Sequence, residues 1–277
     1  MQNTQKITKA MQVVAATKLR RAQTAVQATR PYSEKMLEVL GTTAERATEY
    51  RHPFLVRREG KRAVMVLVTP DKGLAGAISS NTIRAALRHV TEERLEDVRW
   101  VTIGRKGNQF LSRFRRNVVA DASMLGDRPH ISAVLPAVTV ALEEYQRGNT
   151  DQVVLVYPRW ISTMRQEPEV RTLVPIEIPE REEGKAPTAD YLYEPGPEEV
   201  LDALLPRYVE TQVYQSVLEM QASFYSAQMI AMQNATNAAG DLIKALTLTA
   251  NKVRQATITT ELMEIVSGAE ALRSSSL

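Results

Sequence analysis

The sequence predicts an α/β protein in which long N- and C-terminal helices pair as an antiparallel coiled coil beside a central α/β domain. Three observations predict it. From Glu198 to Leu272 only Pro206, Gly240 and Gly268 disturb helix, while apolar positions recur in steps of four and three. A second stripe of the same period, Ile7, Met11, Ala15, Leu19, Ala22 and Val26, occupies the start of the chain. Between them, short apolar runs alternate with helical stretches. The boundaries implied are 1–55 for the first helical segment, 60–196 for the α/β domain and 198–277 for the last.

The first helix carries Lys6, Lys9, Lys18, Arg20, Arg21 and Arg30, with no acidic residue before Glu34, so the basic charge is local although the net charge is only +3. Pro31 is expected to interrupt or bend this helix. The pattern resumes at Met36, Leu37 and Leu40 and fades near Tyr50, Arg51, His52 and Pro53. An Arg-rich, acid-poor start is also what an organellar transit peptide looks like. The same periodicity continues past Arg21, however, and serine enrichment is lacking.

From Arg62 the texture changes. The run Ala63–Thr69, bounded by charges and Pro70, reads as a buried strand, and Val98–Gly104, Asn117–Ala122 and Gln152–Pro158 are further strands. Helical stretches at Asn81–Arg94 and Ile131–Arg147 separate them, which makes the domain Rossmann-like with mainly parallel pairing. Val170–Pro179, with two prolines, is expected at an edge, and Pro179–Asp190 reads as an exposed loop.

The seam of the last helix runs through Val213, Val217, Met220, Phe224, Ala227, Ala231, Asn234 and Ala238. A step to Leu242 and Leu246 then acts as a stutter before Thr249, Val253, Ala256, Thr260 and Met263. Asn234 is a candidate register-setting polar residue. About 70 helical residues would extend about 100 Å, more than a small domain can cover, so the N-terminal helix is the natural partner.

Composition excludes several functions. There are no cysteines, so disulfides and thiolate metal sites are ruled out. No apolar stretch of about 18 residues is present, so no helical membrane span is expected. His52, His89 and His130 are scattered without metal-ligand spacing and read as surface or loop residues. The pairs Glu92–Glu93, Glu143–Glu144 and Glu182–Glu183 are consecutive and read as solvated faces. The glycine loop Thr69–Asn81 follows a strand and precedes a helix, as phosphate loops do, but Gly73 and Gly76 match neither common phosphate fingerprint. It reads as a structural turn. Aromatic residues for base stacking are absent before Tyr32, so nucleic acid is not an expected partner and acidic protein surfaces are. A nucleotide-binding α/β enzyme with helical arms, or a basic coiled-coil adaptor for nucleic acid, are the alternatives; nucleotide titration and salt-dependent DNA or RNA affinity would reveal them.

The two ends carry long, specific motifs: "NTQKITKAMQVVAATKLRRAQ" (Asn3–Gln23), "RPYSEKM" (Arg30–Met36) and "AMQNATNAAGDLIKALTLTANKVRQATITTELMEIVSGAEAL" (Ala231–Leu272). With "TPDKGLAGAISSN" and "DYLYEP" (Asp190–Pro195) in the middle, the chain resembles the gamma-subunit family of F-type ATP synthases over essentially its whole length. That resemblance implies a coiled coil seated in the axial cavity of an alpha/beta hexamer, and an α/β domain resting on the ring of c subunits beside epsilon. Ion flow would turn ring and shaft together, at the cytoplasmic side of a bacterial plasma membrane touched only through the complex. No catalytic residue, cofactor or metal is then expected on this chain, because magnesium and ATP or ADP would sit on alpha and beta. By position in the family motifs, Lys9, Met11 and Lys18 match residues facing the beta subunit's acidic lever, and Arg254, Gln255 and Thr259 match the part that catches a beta-subunit loop. Tyr191, Tyr193 and Glu194 match the foot on the c ring. Members usually have roughly a dozen residues before the segment starting here at Gln2, and their absence would leave part of the coiled coil near the foot without a partner. Ala75 stands where a cysteine is common, and "RSSSL" runs slightly past the usual end.

Overall fold

The computed structural model describes residues 1–47, 50–178, 194 and 196–274. Two compact units form: Val14–Ala231, and Met1–Val13 with Met232–Leu277.

Helix α1 (Gln2–Arg46) is continuous through Pro31, so the expected interruption does not occur. An interior proline costs about 3 kcal/mol of helix stability. Val26, Met36 and Leu40 are buried on both sides of it, and that burial holds the helix together across the missing N–H.

Strands β1 (Arg62–Val68), β2 (Asp97–Ile103), β3 (Val118–Ala122), β4 (Gln152–Trp160) and β5 (Gln166–Val174) form one sheet in the order β3-β2-β1-β4-β5. The pairs β1–β2, β1–β4 and β2–β3 are parallel. β4 and β5 pair antiparallel, joined across residues 161–165. β5 is an edge strand as expected, but it begins at Gln166 and stops before Pro175, because a hairpin after Trp160 sets its start. Pro158 and Pro168 face each other in that ladder, so neither proline leaves a non-proline partner waiting for its N–H.

Alternation along β1 explains its continuous apolar run. Val64, Val66 and Val68 join one core, with α1, α4 (Leu135–Gln146) and the first half of α5 (Pro197–Ser274). Met65 and Leu67 join the other, with α2 (Ile78–Glu92) and α3 (Arg105–Arg113). A sheet covered on both faces needs apolar side chains at every position. Sequence reading missed α3, which is short, polar and interrupted by Gly107. That glycine is where α3 meets the sheet: a Cβ there would lie 2.9 Å from Thr69 Oγ1 and 3.1 Å from Leu67 Cδ2.

Two readings of surface residues are corrected. His52 is buried, edge-on to Phe54 with ring centroids 4.8 Å apart, and its Nδ1 accepts the Phe54 N–H at 3.0 Å; burial lowers its pKa while Asp202 opposes the shift. His89 is half-buried on α2, whereas His130 is exposed. Glu144 is not on a solvated face either, since its side chain is largely covered and pairs with Arg99. Glu182 and Glu183 lie outside the described residues.

In the unit formed by the two chain ends, α1 and α5 run antiparallel. Gln12 donates to Gln233, Thr236 donates to Thr8 at 2.8 Å, and a Cβ on Gly240 would lie 2.9 Å from Gln5 Nε2. The seam differs from the expected one. Asn234 and Ala238 are exposed, so Asn234 sets no register, and Met232 and Ala239 are buried instead. A helix at 3.6 residues per turn drifts against a strict 3.5-residue repeat, and here the contact line shifts by one to two positions. Ile7, predicted on the stripe, is 59% exposed. Residues 241–269 find little cover among the described residues.

Candidate functional site

The beta-contact candidates fall into three settings. Lys9 is exposed and donates to Gln12 Oε1 at 3.3 Å, and Met11 is half-buried on α1. Lys18 is not an open charge: its Nζ pairs with Asp127 and lies 5.7 Å from the centroid of the Tyr225 ring. Arg254, Gln255 and Thr259 are all exposed on α5. Gln255 and Thr259 share a face, with Thr259 Oγ1 donating to the Gln255 carbonyl at 2.9 Å, while Arg254 points about 100° away. Glu194 is exposed; Tyr191 and Tyr193 lie outside the described residues.

Around them α5 has a property that the seam alone did not predict. Leu242, Leu246, Leu248, Val253, Ile258, Leu262, Met263, Ile265 and Val266 are each at least two-fifths exposed. At about 100° per residue they point to every side of the helix. A helix apolar all round belongs inside other protein. The sequence signal was present in the off-seam residues Leu248, Ile258, Ile265 and Val266, which a single coiled-coil stripe does not need.

The glycine loop after β1 resolves into a structural device. Asp71 accepts the backbone N–H groups of Arg105, Met124 and Leu125 at 2.9, 3.1 and 3.0 Å. Its carboxylate therefore caps the N-terminus of α3. Thr69 Oγ1 accepts the Gly107 N–H at 2.8 Å and donates to the Gly104 carbonyl. Gly104 has φ +95°, and a Cβ there would lie 1.7 Å from the Thr69 carbonyl oxygen. The loops after β1, β2 and β3 are thus tied to one another by their own groups.

Among the described residues no three His, Asp or Glu side chains converge as a metal site, and no helix is long and apolar enough to cross a membrane. Fold and site together define an α/β domain with long terminal helices, the last of which exposes apolar residues towards its end. A protein-family model described as ATP synthase matches residues 1–272. The chain is 46% identical over 279 residues to the ATP synthase gamma chain of Ralstonia nicotianae, covering 98% of this chain and 96% of that protein. It is 45% identical to the ATP synthase gamma chain of Chloroflexus aurantiacus, covering 99% and 96%. Among solved structures, a chain of the Tetrahymena thermophila mitochondrial ATP synthase central stalk and c-ring shares the fold at TM-score 0.62 and 22% identity, covering 83% of this chain and 99% of that one. A chain of the Euglena gracilis mitochondrial ATP synthase does so at TM-score 0.57 and 17% identity, covering 96% of each. The chain belongs to the ATP synthase gamma chain family.

Proposed function

We propose that this chain is the central rotor shaft of an F-type ATP synthase, coupling ion-driven rotation of a c ring to ATP synthesis or hydrolysis in an alpha/beta head. The observation that carries this reading is the end of α5, which points exposed apolar residues to every side and has little cover among the described residues. A single partner helix would bury one stripe; a sleeve of several subunits buries every side. The exposed polar residues Arg254, Gln255 and Thr259 sit within that stretch, where they can bond a beta-subunit loop in some orientations and not others. A shaft acts by such differential contacts, since it shifts a partner's equilibrium only as far as it binds one state better than another.

In this reading the shaft performs no chemistry. Nucleotide and magnesium are held by alpha and beta, a reading supported by the glycine loop, in which Gly73 and Gly76 match neither common phosphate fingerprint. Epsilon and the c ring meet the α/β domain, with Glu194, Tyr191 and Tyr193 at the foot. The complex sits on the cytoplasmic side of a bacterial plasma membrane, a placement favoured by the bacterial relatives. Affinity purification of the tagged chain from mildly solubilised membranes tests this. Alpha, beta, epsilon and c subunits are expected in the eluate by mass spectrometry, and a preparation lacking alpha and beta would reject the assignment.

A further inference from the structure

A cavity of about 260 Å³ opens at the C-terminal edge of the parallel sheet, between the loops after β1, β2 and β3 and the α5 residues Met220–Tyr225. Its floor is apolar: Leu125, Met220 and Phe224 are buried there, and Met124, 83% exposed, stands at the mouth. The C-terminal ends of parallel strands are where open α/β sheets bind ligands.

The rim carries Arg105 and Lys72 beside Asp71 and Asp127. Arg105 is held by the Asp71 carbonyl, to which Nε and Nη2 donate at 3.3 and 3.2 Å, so its guanidinium is oriented without a carboxylate partner among the described residues. Lys72, 65% exposed at its side chain, lies 3.6 Å from Asp127 Oδ1. Both nearby carboxylates are already engaged. Asp71 accepts three backbone N–H groups, while Asp127 accepts the Tyr225 hydroxyl at 2.9 Å and pairs with Lys18. Asp127 is thus shared by Lys72 and by Lys18, which lies outside the lining, while the Asp71 carboxylate is taken up by backbone N–H groups. The walls are also pre-organised: Gln221 Nε2 donates to the Gly126 carbonyl at 2.8 Å, and Met124 is held at φ +63° while Asp71 takes its N–H.

We propose that this cavity is a binding site for a small aromatic anion, one or two fused rings in the apolar floor with a sulfonate, carboxylate or phosphate at the Arg105–Lys72 rim. The volume lies just below the range of drug-sized ligand pockets, about 300–1,000 Å³, which suits a bicyclic body better than a whole nucleoside triphosphate. An oriented guanidinium with no carboxylate partner is the group best suited to such a head, because it presents planar donors without first breaking an ion pair. The site is separate from the glycine loop's capping role, although Pro70, Asp71 and Lys72 of that loop form one wall.

The test uses the full chain and two dyes of like shape, anionic 8-anilinonaphthalene-1-sulfonate and neutral N-phenyl-1-naphthylamine, followed by fluorescence titration. The exposed apolar residues between 242 and 266, with Lys244, Lys252 and Arg254 among them, offer both dyes further sites, so the effect of the Arg105 and Lys72 replacements, not selectivity alone, isolates the cavity. Saturable binding of the sulfonate is expected, weakened roughly tenfold or more by Arg105→Gln and by Lys72→Glu with the neutral dye little changed. Lys72 is exposed, so its replacement leaves the fold intact even if Arg105→Gln loosens the loop. Absence of saturable sulfonate binding, equal affinity in Lys72→Glu, or parallel loss of both dyes in that variant would overturn the proposal.

Discussion

Arg62 grips Asp151 at three points: Nη2 to Oδ1 at 2.7 Å, Nε to Oδ2 at 3.0 Å, and the Arg62 backbone N–H to Oδ2 at 3.1 Å. The pair joins the start of β1 to the residue before β4, and the Asp151 side chain is only 7% exposed. Those bonds from Arg62 hold the Asp151 carboxyl below its ordinary pKa. A depressed carboxylate stabilises the fold above its unfolded pKa and loses that contribution as pH falls through the folded value. Asp151→Asn is therefore expected to cost about 1–3 kcal/mol at neutral pH, with the gap to wild type closing in acid below the ordinary carboxylate range. Urea denaturation at neutral and acidic pH reads both; a gap independent of pH would refute the ionic origin.

Glu219 behaves in the opposite sense. It is buried on α5, Gln215 Nε2 donates to its Oε1 at 3.4 Å, and Oε2 has no hydrogen-bond partner among the described residues. Burial raises its pKa, against the lowering influence of Gln215, Arg30 and Arg159. Ionisation then costs stability, and the cost grows as pH rises from the ordinary carboxylate value through the raised one, then levels off. Glu219→Gln should match wild type in acid and exceed it at neutral pH, by on the order of 1 kcal/mol. Thermal melts across that window would expose the error if the variant were uniformly less stable.

Gly104 admits no side chain. Its φ of +95° strains any L-residue, and a Cβ would overlap the Thr69 carbonyl oxygen at 1.7 Å. Gly104→Ala is expected to lose about 3 kcal/mol or more. A midpoint within about 0.5 kcal/mol of wild type in chemical denaturation would show that the turn adapts.

The antiparallel pairing of the chain ends can be trapped. Thr8 and Thr236 touch through their hydroxyls at 2.8 Å, and the natural chain has no cysteine to interfere. Thr8→Cys with Thr236→Cys should oxidise readily to an intrachain disulfide. Thr8→Cys with Thr249→Cys, about 20 Å further along α5 at 1.5 Å per residue, should not. Equal crosslinking of both pairs on non-reducing gels would contradict the register.

Arg254→Ala with Gln255→Ala probes the proposed catch. Both side chains are exposed, so the subunit should fold unchanged. Losing bonds of about 1.5–3 kcal/mol to a charged group should lower ATP hydrolysis by the assembled head roughly tenfold. Steady-state rates at equal assembly yield decide it, and an unaltered rate assigns these residues to a solvated face.

What the sequence determined by itself was set by short-range regularities. The period of Ala15, Leu19, Ala22 and Val26 and of Val213, Val217, Met220 and Phe224 put these residues in buried stripes, and the unbroken apolar run of β1 marked a sheet covered on both faces. Family motifs at both ends carried the functional reading. Tertiary structure decided the rest, because it depends on groups distant in sequence. Pro31 stays in helix because apolar contacts on both sides hold it; α3 exists because Gly107 can approach Thr69; and the seam passes Met232 and Ala239 rather than Asn234 and Ala238. Lys18, read from the sequence as a cation of the basic helix matched to a beta-facing position, is paired with Asp127, 109 residues away. The cavity beside it needs three loops and one helix at once, so no local pattern could announce it.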